Sequence, residues 1–419
     1  MKPNPTPVMS ERRTSLIGGL LVAIGPISLA LYTPAMPVLV DVFGVTESLV
    51  KLTLTAYFAG FAVTQLVCGP LSDALGRRIT TLIFMATYLG GSLIAVLAPS
   101  IDMLLLARLV QGVGASVGIA VARAIVRDQF EGETSSRIMN AIGIILAAGP
   151  AVSPTIGGLS LEVAGWRGPF ALMALFGIAV IAVSLLAMRE TIVPDKARLK
   201  PRLFAASYRR LLSDGHFVTA SLTMGGSVGA LYTLSTVLPF VLINRAGLTP
   251  TEFGIGMLGQ TGLFFFGSLS VRFLMGRGIS AYRLVLPGLV FIAIASGLLI
   301  LSAATLPLSY LSIMGPVGIY AFGIAFIMPA MTTSAMAPFK DVAGAAAAML
   351  GFLQMGAGFA GSALCAAIGE PVLATAIVIP LLCALALLAY ALFRWRFERI
   401  EVEPLAQVPA PPMARSGQG

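Results

Sequence analysis

An arginine, Arg108, lies inside the apolar stretch LLLARLVQGVGASVGIAV (residues 104–121), whose composition is typical of a membrane-spanning helix. Placing an arginine at bilayer depth costs about 2.5–3.5 kcal/mol even on a lenient insertion scale. Arg108 therefore needs a water-filled cavity or a partner, and no acidic residue lies three or four positions away. Gln111 shares its face one turn later. Backbone carbonyls, Tyr32, water or a bound small molecule could be the partner, and a purely structural role is the alternative.

No other chemistry is visible inside the apolar segments. Each of the 18 Asp and Glu residues lies at the end of a segment or in a loop. Arg123 lies one turn from Arg127, so it is predicted to reach the headgroups as an anchor. Hydrolysis inside a membrane needs a Ser/His pair, two aspartates or an H-E-x-x-H zinc site, and no such set lies in these segments. The cysteines (Cys68, Cys365 and Cys383) are predicted to pack in apolar surroundings. The sequence predicts no enzyme, no cofactor and no metal site.

The segments that must position Arg108 account for most of the chain. Of the 419 residues, 57% are hydrophobic and only 11% are charged, which is about half the charge of a soluble protein. Apolar runs of about 20 residues recur from end to end, and each is long enough to cross a bilayer as a helix. We predict twelve spans, near residues 15–36, 49–70, 79–98, 102–126, 136–160, 168–188, 217–243, 252–275, 283–303, 308–335, 342–368 and 372–393.

The distribution of positive charge predicts the orientation of these spans. Most of the 27 Lys and Arg residues fall on one side, whereas Lys51, Arg167 and Arg245 fall on the other. The positive-inside rule then places both termini in the cytoplasm. The net charge of +9 is thus a topology signal and not a nucleic-acid site. The predicted parts are an N-terminal tail, a six-helix bundle, a linker, a second six-helix bundle and a C-terminal tail, at 1–14, 15–188, 189–216, 217–393 and 394–419.

Two loops and one span carry motifs. The segment GPLSDALGRR (69–78) follows the second span, and its glycines permit a tight turn and close helix approach. The segment GSLSVRFLMGRG (267–278) follows the eighth span as a weaker second copy, with Arg272 in place of Asp73. In span five, GPAVSPTIGG (149–158) predicts a kinked helix with a flat face. Two related six-helix halves are typical of transporters whose site lies between the halves near the midplane.

The first loop motif resembles the signature of the major facilitator superfamily, G-x-L-x-D-x-x-G-R-[RK]. The resemblance implies an all-α integral membrane fold of twelve transmembrane helices in two six-helix bundles. It further implies that Asp73 accepts from the N-terminus of span eleven and that Arg77 pairs with an acid after span four, a role that Asp128 fits. The set would act as a latch that holds the cytoplasmic side closed, and its members are Gly69, Asp73, Gly76, Arg77, Arg78 and Asp128. The altered second copy predicts an asymmetric latch with a milder effect of changing Arg272.

Further segments are similar to the Bcr/CflA branch of bacterial drug:proton antiporters. They are LYTPAMP (31–37), ARLVQGVGAS (107–116), VARAIVRD (121–128), GWRGPF (165–170) and AGAAAAMLGFLQMGAG (343–358). The span-five segment resembles the antiporter motif of the superfamily, at Gly149, Pro150, Pro154, Gly157 and Gly158. One position departs from the branch, because Ala30 stands where an aspartate usually precedes the span-one Y-x-P element. The usual proton carrier is therefore missing.

The sequence thus predicts a multidrug efflux antiporter in the bacterial inner membrane. It would export small amphipathic or drug-like molecules by alternating access, as a monomer, with protons as the coupling ion. The alternative is export of an anionic or neutral endogenous metabolite without proton coupling, since the cavity would hold positive charge and no acid. The predicted cavity residues are Arg108, Gln111, Tyr32, Tyr57, Gln65, Asn140 and Gln354.

Overall fold

The computed structural model describes residues 7–195, 201–305 and 307–401, and helices dominate these ranges. The predictions for the two chain ends and the middle of the linker fall partly outside the described residues. The helices are α1 (Glu11–Tyr32), α2 (Met36–Phe43), α3 (Glu47–Leu75), α4 (Arg77–Leu97), α5 (Ile101–Ala115), α6 (Val117–Arg127), α7 (Gly132–Ala164), α8 (Gly168–Leu186), α9 (Pro201–Ser213), α10 (Gly215–Pro239), α11 (Pro250–Gly276), α12 (Ala281–Thr305), α13 (Tyr310–Met336), α14 (Ala343–Ile368) and α15 (Pro371–Glu401).

The helices confirm the predicted all-α membrane fold. Eleven continuous helical runs among the described residues are long and apolar enough to cross a bilayer. One of them, Gly132–Leu186, has 55 residues and contains both α7 and α8, so it can cross twice. The described residues can therefore make twelve crossings. Helix α9, by contrast, is a short amphipathic helix in the linker between the sixth and seventh crossings.

Two large hydrophobic cores divide the described residues into halves. The first is built mainly from residues of α1 to α8 and also includes Phe240, which follows α10, and the second is built mainly from residues of α9 to α15. A small third cluster joins α11, α12 and α13. Between the halves, α3 packs along α14 and α7 packs along α11. We name the two ends of the bundle by the predicted orientation: the outer end carries Glu47 and Arg245, and the cytoplasmic end carries Asp73 and Asp128.

The outer end is closed by contacts between the halves. Glu47 of α3 lies 3.3 Å from Arg245, which follows α10, and Glu162 of α7 accepts from Thr251 of α11 at 2.6 Å. Lys51, which the sequence places with the outer loops, is instead fully buried in α3. Its ammonium donates to the carbonyl of Gly369, which ends α14, at 2.5 Å and lies over the ring of Phe240 at 5.3 Å.

We expect Lys51→Met to favour the closed outer end. Methionine fills similar space without a charge that gains hydration when the end opens. Spin labels at Val42 and Leu311, which are exposed at the outer ends of the two halves, would report the separation by pulsed electron resonance. The long-distance population should fall in the variant. Arg167→Met removes the same charge within one half and should leave the distances unchanged; a rise in the open population of Lys51→Met would contradict the expectation.

The linker helix α9 connects the two halves at the cytoplasmic end. The Tyr208 hydroxyl donates to the carbonyl of Leu66 in α3 at 2.5 Å, and Leu211 is buried in the core of the second half. Arg210 donates to Asp341, just before α14, at 2.6 Å. This hydrogen bond lowers the pKa of the Asp341 carboxyl. The ion pair is therefore fully formed at any pH above the ordinary pKa of an aspartate. It is lost only as the pH falls through the lowered pKa of Asp341.

Candidate substrate site and cytoplasmic latch

Arg108 lies in a closed box of aromatic side chains in the first half. Its side chain is fully buried, and its guanidinium carbon lies 4.5 Å from the ring centroids of both Tyr32 and Tyr57. Its Nη1 donates to Oε1 of Gln111 at 2.7 Å. Two aromatic faces and one amide thus stabilise the cation by cation–π attraction and a charge-assisted hydrogen bond. We call Arg108, Gln111, Tyr32 and Tyr57 the arginine box.

A second layer of hydrogen bonds holds the arginine box in place. Gln111 donates through Nε2 to the hydroxyl of Ser92 at 2.9 Å, which fixes the amide orientation. Tyr57 donates to the carbonyl of Gly25 at 3.1 Å, and Tyr32 shares a 2.5 Å hydrogen bond with Thr53. Because these bonds involve α1, α3 and α4, the box depends on the packing of four helices.

Glycines set the distance between the helices of the box. Gly112 of α5 lies against the backbone of α3, where an added Cβ would come within 3.0 Å of the amide nitrogen of Phe61. Gly91 of α4 has the same relation to α5, at 2.8 Å from the amide nitrogen of Gln111. Such close approach is typical of small residues at membrane helix contacts. The close approach of α3 and α5 at Gly112 therefore brings Arg108 against Tyr57.

Two donors of Arg108 have no hydrogen-bond acceptor among the described residues. They are Nε and Nη2, and both are completely buried. A buried unsatisfied donor costs about 1–3 kcal/mol, and more when it is charged. An acceptor oxygen from water, a carbonyl or an anionic group would remove this cost. The arrangement can therefore bind an electron-rich group. The sequence favours a water-filled cavity around Arg108, but in this conformation the arginine box is closed to solvent.

The other predicted cavity residues lie elsewhere. Gln65 of α3 is buried against Gly351 of α14, and its Oε1 has no hydrogen-bond partner among the described residues. Gln354 is half-buried one turn further along α14, and Asn140 is exposed on α7. The structure brings Arg108, Gln111, Tyr32 and Tyr57 together. Gln65 and Gln354 instead lie on α3 and α14, which pack against each other where the two halves meet. Asn140 lies on α7.

Sequence reasoning missed several residues around the arginine box. Tyr88 of α4 is fully buried and shares a 2.5 Å hydrogen bond with Ser28 of α1. Ser92 accepts a hydrogen bond from the side chain of Gln111, and the sulfur of Met173 in α8 lies 3.6 Å from the Nε2 atom of Gln111. The available signal was weak, because each is a single polar or polarisable residue in an otherwise apolar span.

The first motif, GPLSDALGRR, forms a compact ionic cluster. The sequence places it in a loop, but residues 69–75 end α3 and Arg77 begins α4, so Gly76 alone separates the two helices. Arg77 Nε donates to Asp128 at 2.9 Å, so the ion pair that the resemblance implies is present. Arg77 also pairs with Asp73 and donates to the hydroxyl of Ser72 at 2.7 Å. The motif glycine Gly76 adopts a φ of 95°, a conformation that favours glycine. Thus Arg77, at the start of α4, connects the end of α3 with the end of α6.

The start of the linker completes this cluster and was not predicted. The Glu190 carboxylate accepts from the amides of Arg77 at 2.7 Å and Arg78 at 3.1 Å, the first two residues of α4. A carboxylate at a helix N-terminus satisfies free amides and the helix dipole. Thr191 donates to Asp128 at 2.8 Å. The start of the linker therefore contacts the first turn of α4 through Glu190 and the acid Asp128 through Thr191.

Two glycines at the cytoplasmic ends of α3 and α14 have open space beside them in this conformation. Asp73 is paired with Arg77, and its side chain is 30% exposed. An added Cβ at Gly69 or at Gly344 of α14 would meet open space. Both glycines therefore leave local space at the cytoplasmic ends of α3 and α14.

The antiporter-like motif packs against both halves. Gly157 of α7 lies against the backbone of Leu31 in α1. Gly158 lies against α11, where an added Cβ would come within 2.7 Å of the Pro250 carbonyl and 2.9 Å of the Thr251 Cα. Pro150 and Pro154 lie inside α7 without ending it, and Gly149 faces Ile27 of α1. The predicted flat face is therefore a contact surface between helices.

We expect Gly158→Leu to impair transport more than folding. The side chain would force α7 and α11 apart at the outer end, and overpacking of this kind costs about 1–3 kcal/mol. Purified yield, monodispersity and transport rate would be compared with those of Gly143→Leu on the same helix, where an added Cβ meets open space. Normal transport by Gly158→Leu would argue against a tight contact during the cycle.

Comparisons with known proteins decide the family. The sequence profile of the Major Facilitator Superfamily matches residues 18–362. This chain belongs to the Major Facilitator Superfamily. A facilitator of Bacillus subtilis, the uncharacterized MFS-type transporter YdgK, is 32% identical over 344 residues, which cover 80% of this chain and 84% of that protein.

Other relatives carry more specific names. Multidrug resistance protein D of Escherichia coli is 28% identical over 339 residues, covering 80% of this facilitator and 84% of that protein. Among solved structures, a D-xylose-proton symporter superimposes with a TM-score of 0.72 at 14% identity, over 92% of this facilitator and 97% of the symporter chain. At that identity the superposition shows the fold alone. The chain is thus a multi-pass membrane transporter of this superfamily.

Proposed function

We propose that the protein exports small amphipathic, drug-like molecules across the bacterial inner membrane by proton antiport. The Bcr/CflA resemblance and relatives named as multidrug transporters support the cargo class. The observation that carries the proposal is the arginine box, a buried cation on α5 with two unsatisfied donors in a ring of aromatic side chains. Aromatic walls suit apolar cargo, and the free donors suit a carbonyl or hydroxyl oxygen.

The proposed mechanism is alternating access of the two halves. The outer end is held by the contacts of Glu47 and Glu162 with the second half, while Gly69 and Gly344 leave local space at the cytoplasmic end. In this state cargo would enter from the cytoplasm. Rocking of the halves would then break the outer contacts and close the cytoplasmic ends.

The energy source is proposed to be the proton gradient. One charge moved through 100 mV yields about 2.3 kcal/mol, enough for tens-fold accumulation. Ala30 removes the usual span-one carrier, so protons would be carried by peripheral acids such as Asp41, Asp73 or Asp102, or by the cargo. The roles of Asp41 and Asp102 rest on their positions at the ends of α2 and α5.

A second candidate function keeps the fold and changes the cargo. Among the described residues, Arg108 pairs with Gln111 and aromatic rings but with no carboxylate, so the box favours an anionic or electron-rich group over a cation. The cargo would then be an anionic or neutral endogenous metabolite, and export would not require a proton gradient.

The test is export from energised membrane vesicles across matched compounds. Neutral, cationic and anionic fluorescent drugs would be compared with and without a pH gradient, alongside a resistance screen in cells that overproduce the protein. Gradient-dependent export of neutral or cationic drugs supports the first proposal. Export of anions alone, at equal rates with and without the gradient, would replace it with the second. Empty vesicles and the Arg108→Ala protein provide the baselines.

A further inference from the structure

Arg272, in the second copy of the motif, lies on the face of α11 that packs against α7 of the other half. Arg272 of α11 follows Gly254 by about five full helical turns, so the two residues lie on the same face. Gly254 is the residue of α11 that packs against Pro154 of α7. The face that carries Arg272 at the cytoplasmic end is therefore the face that contacts α7 at the outer end.

The contact between α7 and α11 has a constant antiparallel register where it is closed. Gly158 lies against Pro250, and one turn along each helix Pro154 lies against Gly254. Continued toward the cytoplasm, this register places Arg272 level with Ser136. It places Arg277, just beyond the end of α11, level with Glu131 at the start of α7.

The two ends that would meet carry opposite charge. Glu131 is the N-cap residue of α7, and Glu133 lies in its first turn. Negative charge at a helix N-terminus is favourable, so these acids suit their own helix and would also attract the arginines. All four side chains are exposed in this conformation, and Glu133 lies 3.9 Å from Arg137.

We infer that Arg272 and Arg277 form a second cytoplasmic latch with Glu131 and Glu133 when the cytoplasmic ends of α7 and α11 come together. The charges are reversed relative to the first latch, in which the end of α3 supplies the acid Asp73. In the second copy the motif supplies the positive charges, and the start of α7 supplies the negative ones. This inference rests on the alternating access of the proposed function and not on the identity of the cargo.

The inference changes the expected weight of Arg272. From the sequence alone, Arg272 marks an altered copy, and its replacement is expected to have a milder effect than replacement of Asp73 or Arg77. With its partners identified, its replacement should weaken closure of the cytoplasmic end by a measurable factor. Its exposure keeps the expected effect on folding small.

Crosslinking between the two helices tests the latch without any cargo. Asn140 and Ser268 are exposed, and the same register places them level with each other. The protein with Asn140→Cys and Ser268→Cys would be reconstituted in phosphatidylcholine nanodiscs, and the rate of disulfide formation under mild oxidation would be measured. Each single-cysteine variant controls for pairing with the native, buried cysteines.

Charge exchange then identifies the partners. Arg272→Glu with Arg277→Glu should slow crosslinking about three- to thirtyfold, the change that two exposed ion pairs of ordinary strength produce. Glu131→Arg with Glu133→Arg should slow it similarly, and combining all four changes should restore the starting rate. Arg283→Glu, an exposed cation at the start of α12, is the matched control and should have no effect.

Three outcomes would overturn the latch. The starting protein could fail to crosslink, which would mean that this register does not form on closure. The reversals could leave the rate unchanged. Alternatively, only the arginine reversal could matter and the exchange could fail to restore the rate, as expected if the arginines bind anionic lipid headgroups. If the unmodified protein exports no drug but the charge exchange restores the crosslinking rate, the proposed cargo is rejected and the latch is kept.

Discussion

Replacing Arg108 with alanine should abolish gradient-driven export from membrane vesicles. A hydrogen bond from a charged donor contributes about 1.5–3 kcal/mol, so losing one to the cargo lowers affinity about ten- to hundredfold. The aromatic rings of Tyr32 and Tyr57 would also lose the cation that lies 4.5 Å from each. Initial export rates with and without a pH gradient would be measured for protein matched in amount and monodispersity.

Arg108→Lys separates charge from geometry. Lysine keeps the positive charge but lacks the planar fork, so it can still lie over the rings but cannot bond Gln111 and a second acceptor in the same way. We expect partial activity at best. Gln111→Leu is the matched neighbour, since it removes the amide that accepts from Arg108 and leaves the cation. Undiminished, gradient-driven export by Arg108→Ala would mean that the residue serves only the packing of the first half.

Asp73→Asn and Arg77→Ala should each impair transport while leaving membrane insertion intact. Arg77 holds Asp73, Ser72 and Asp128 together, so its loss releases two carboxylates at once. Along α3 and α14 the contact also keeps one register, with Ser48 near Gly369 and Gln65 against Gly351. Continued to the cytoplasmic end, it places Asp73 level with the first turn of α14, where a carboxylate would be stabilised.

The two variants should differ in which step they affect. Asp73→Asn keeps the size of the side chain and removes the charge that α14 would attract, so closure of the cytoplasmic end should weaken. Arg77→Ala should in addition loosen the first half, which a lower melting temperature would report. Arg78→Ala is the comparison within the motif: the Arg78 guanidinium donates to the carbonyl of Leu185 at 2.7 Å, so its loss should have the smaller effect. Wild-type transport by both folded variants would reject the latch.

The fold and part of the site could be predicted from residue type and spacing. Apolar length fixes the crossings, and Gln111 follows from helical spacing after Arg108. Tyr88 and Ser92 could not be predicted in the same way. Their place beside the box depends on the crossing of α4 and α5 at Gly91, which is a property of two packed helices. Glu190 was missed because a loop carboxylate gives no sign of the helix end that it caps.

The Lys51 site has a consequence for the energetics of release. An ammonium held by one carbonyl and one aromatic face is poorly solvated compared with an ammonium in water. Separation of the outer ends would hydrate it, so part of the work of parting two apolar surfaces is returned as solvation energy. The buried ammonium thus destabilises the closed outer end, which the other contacts between the halves keep closed. Such a device would shorten the time that the outer end stays shut after the cytoplasmic end has closed, and would bias the cycle toward discharge to the outside.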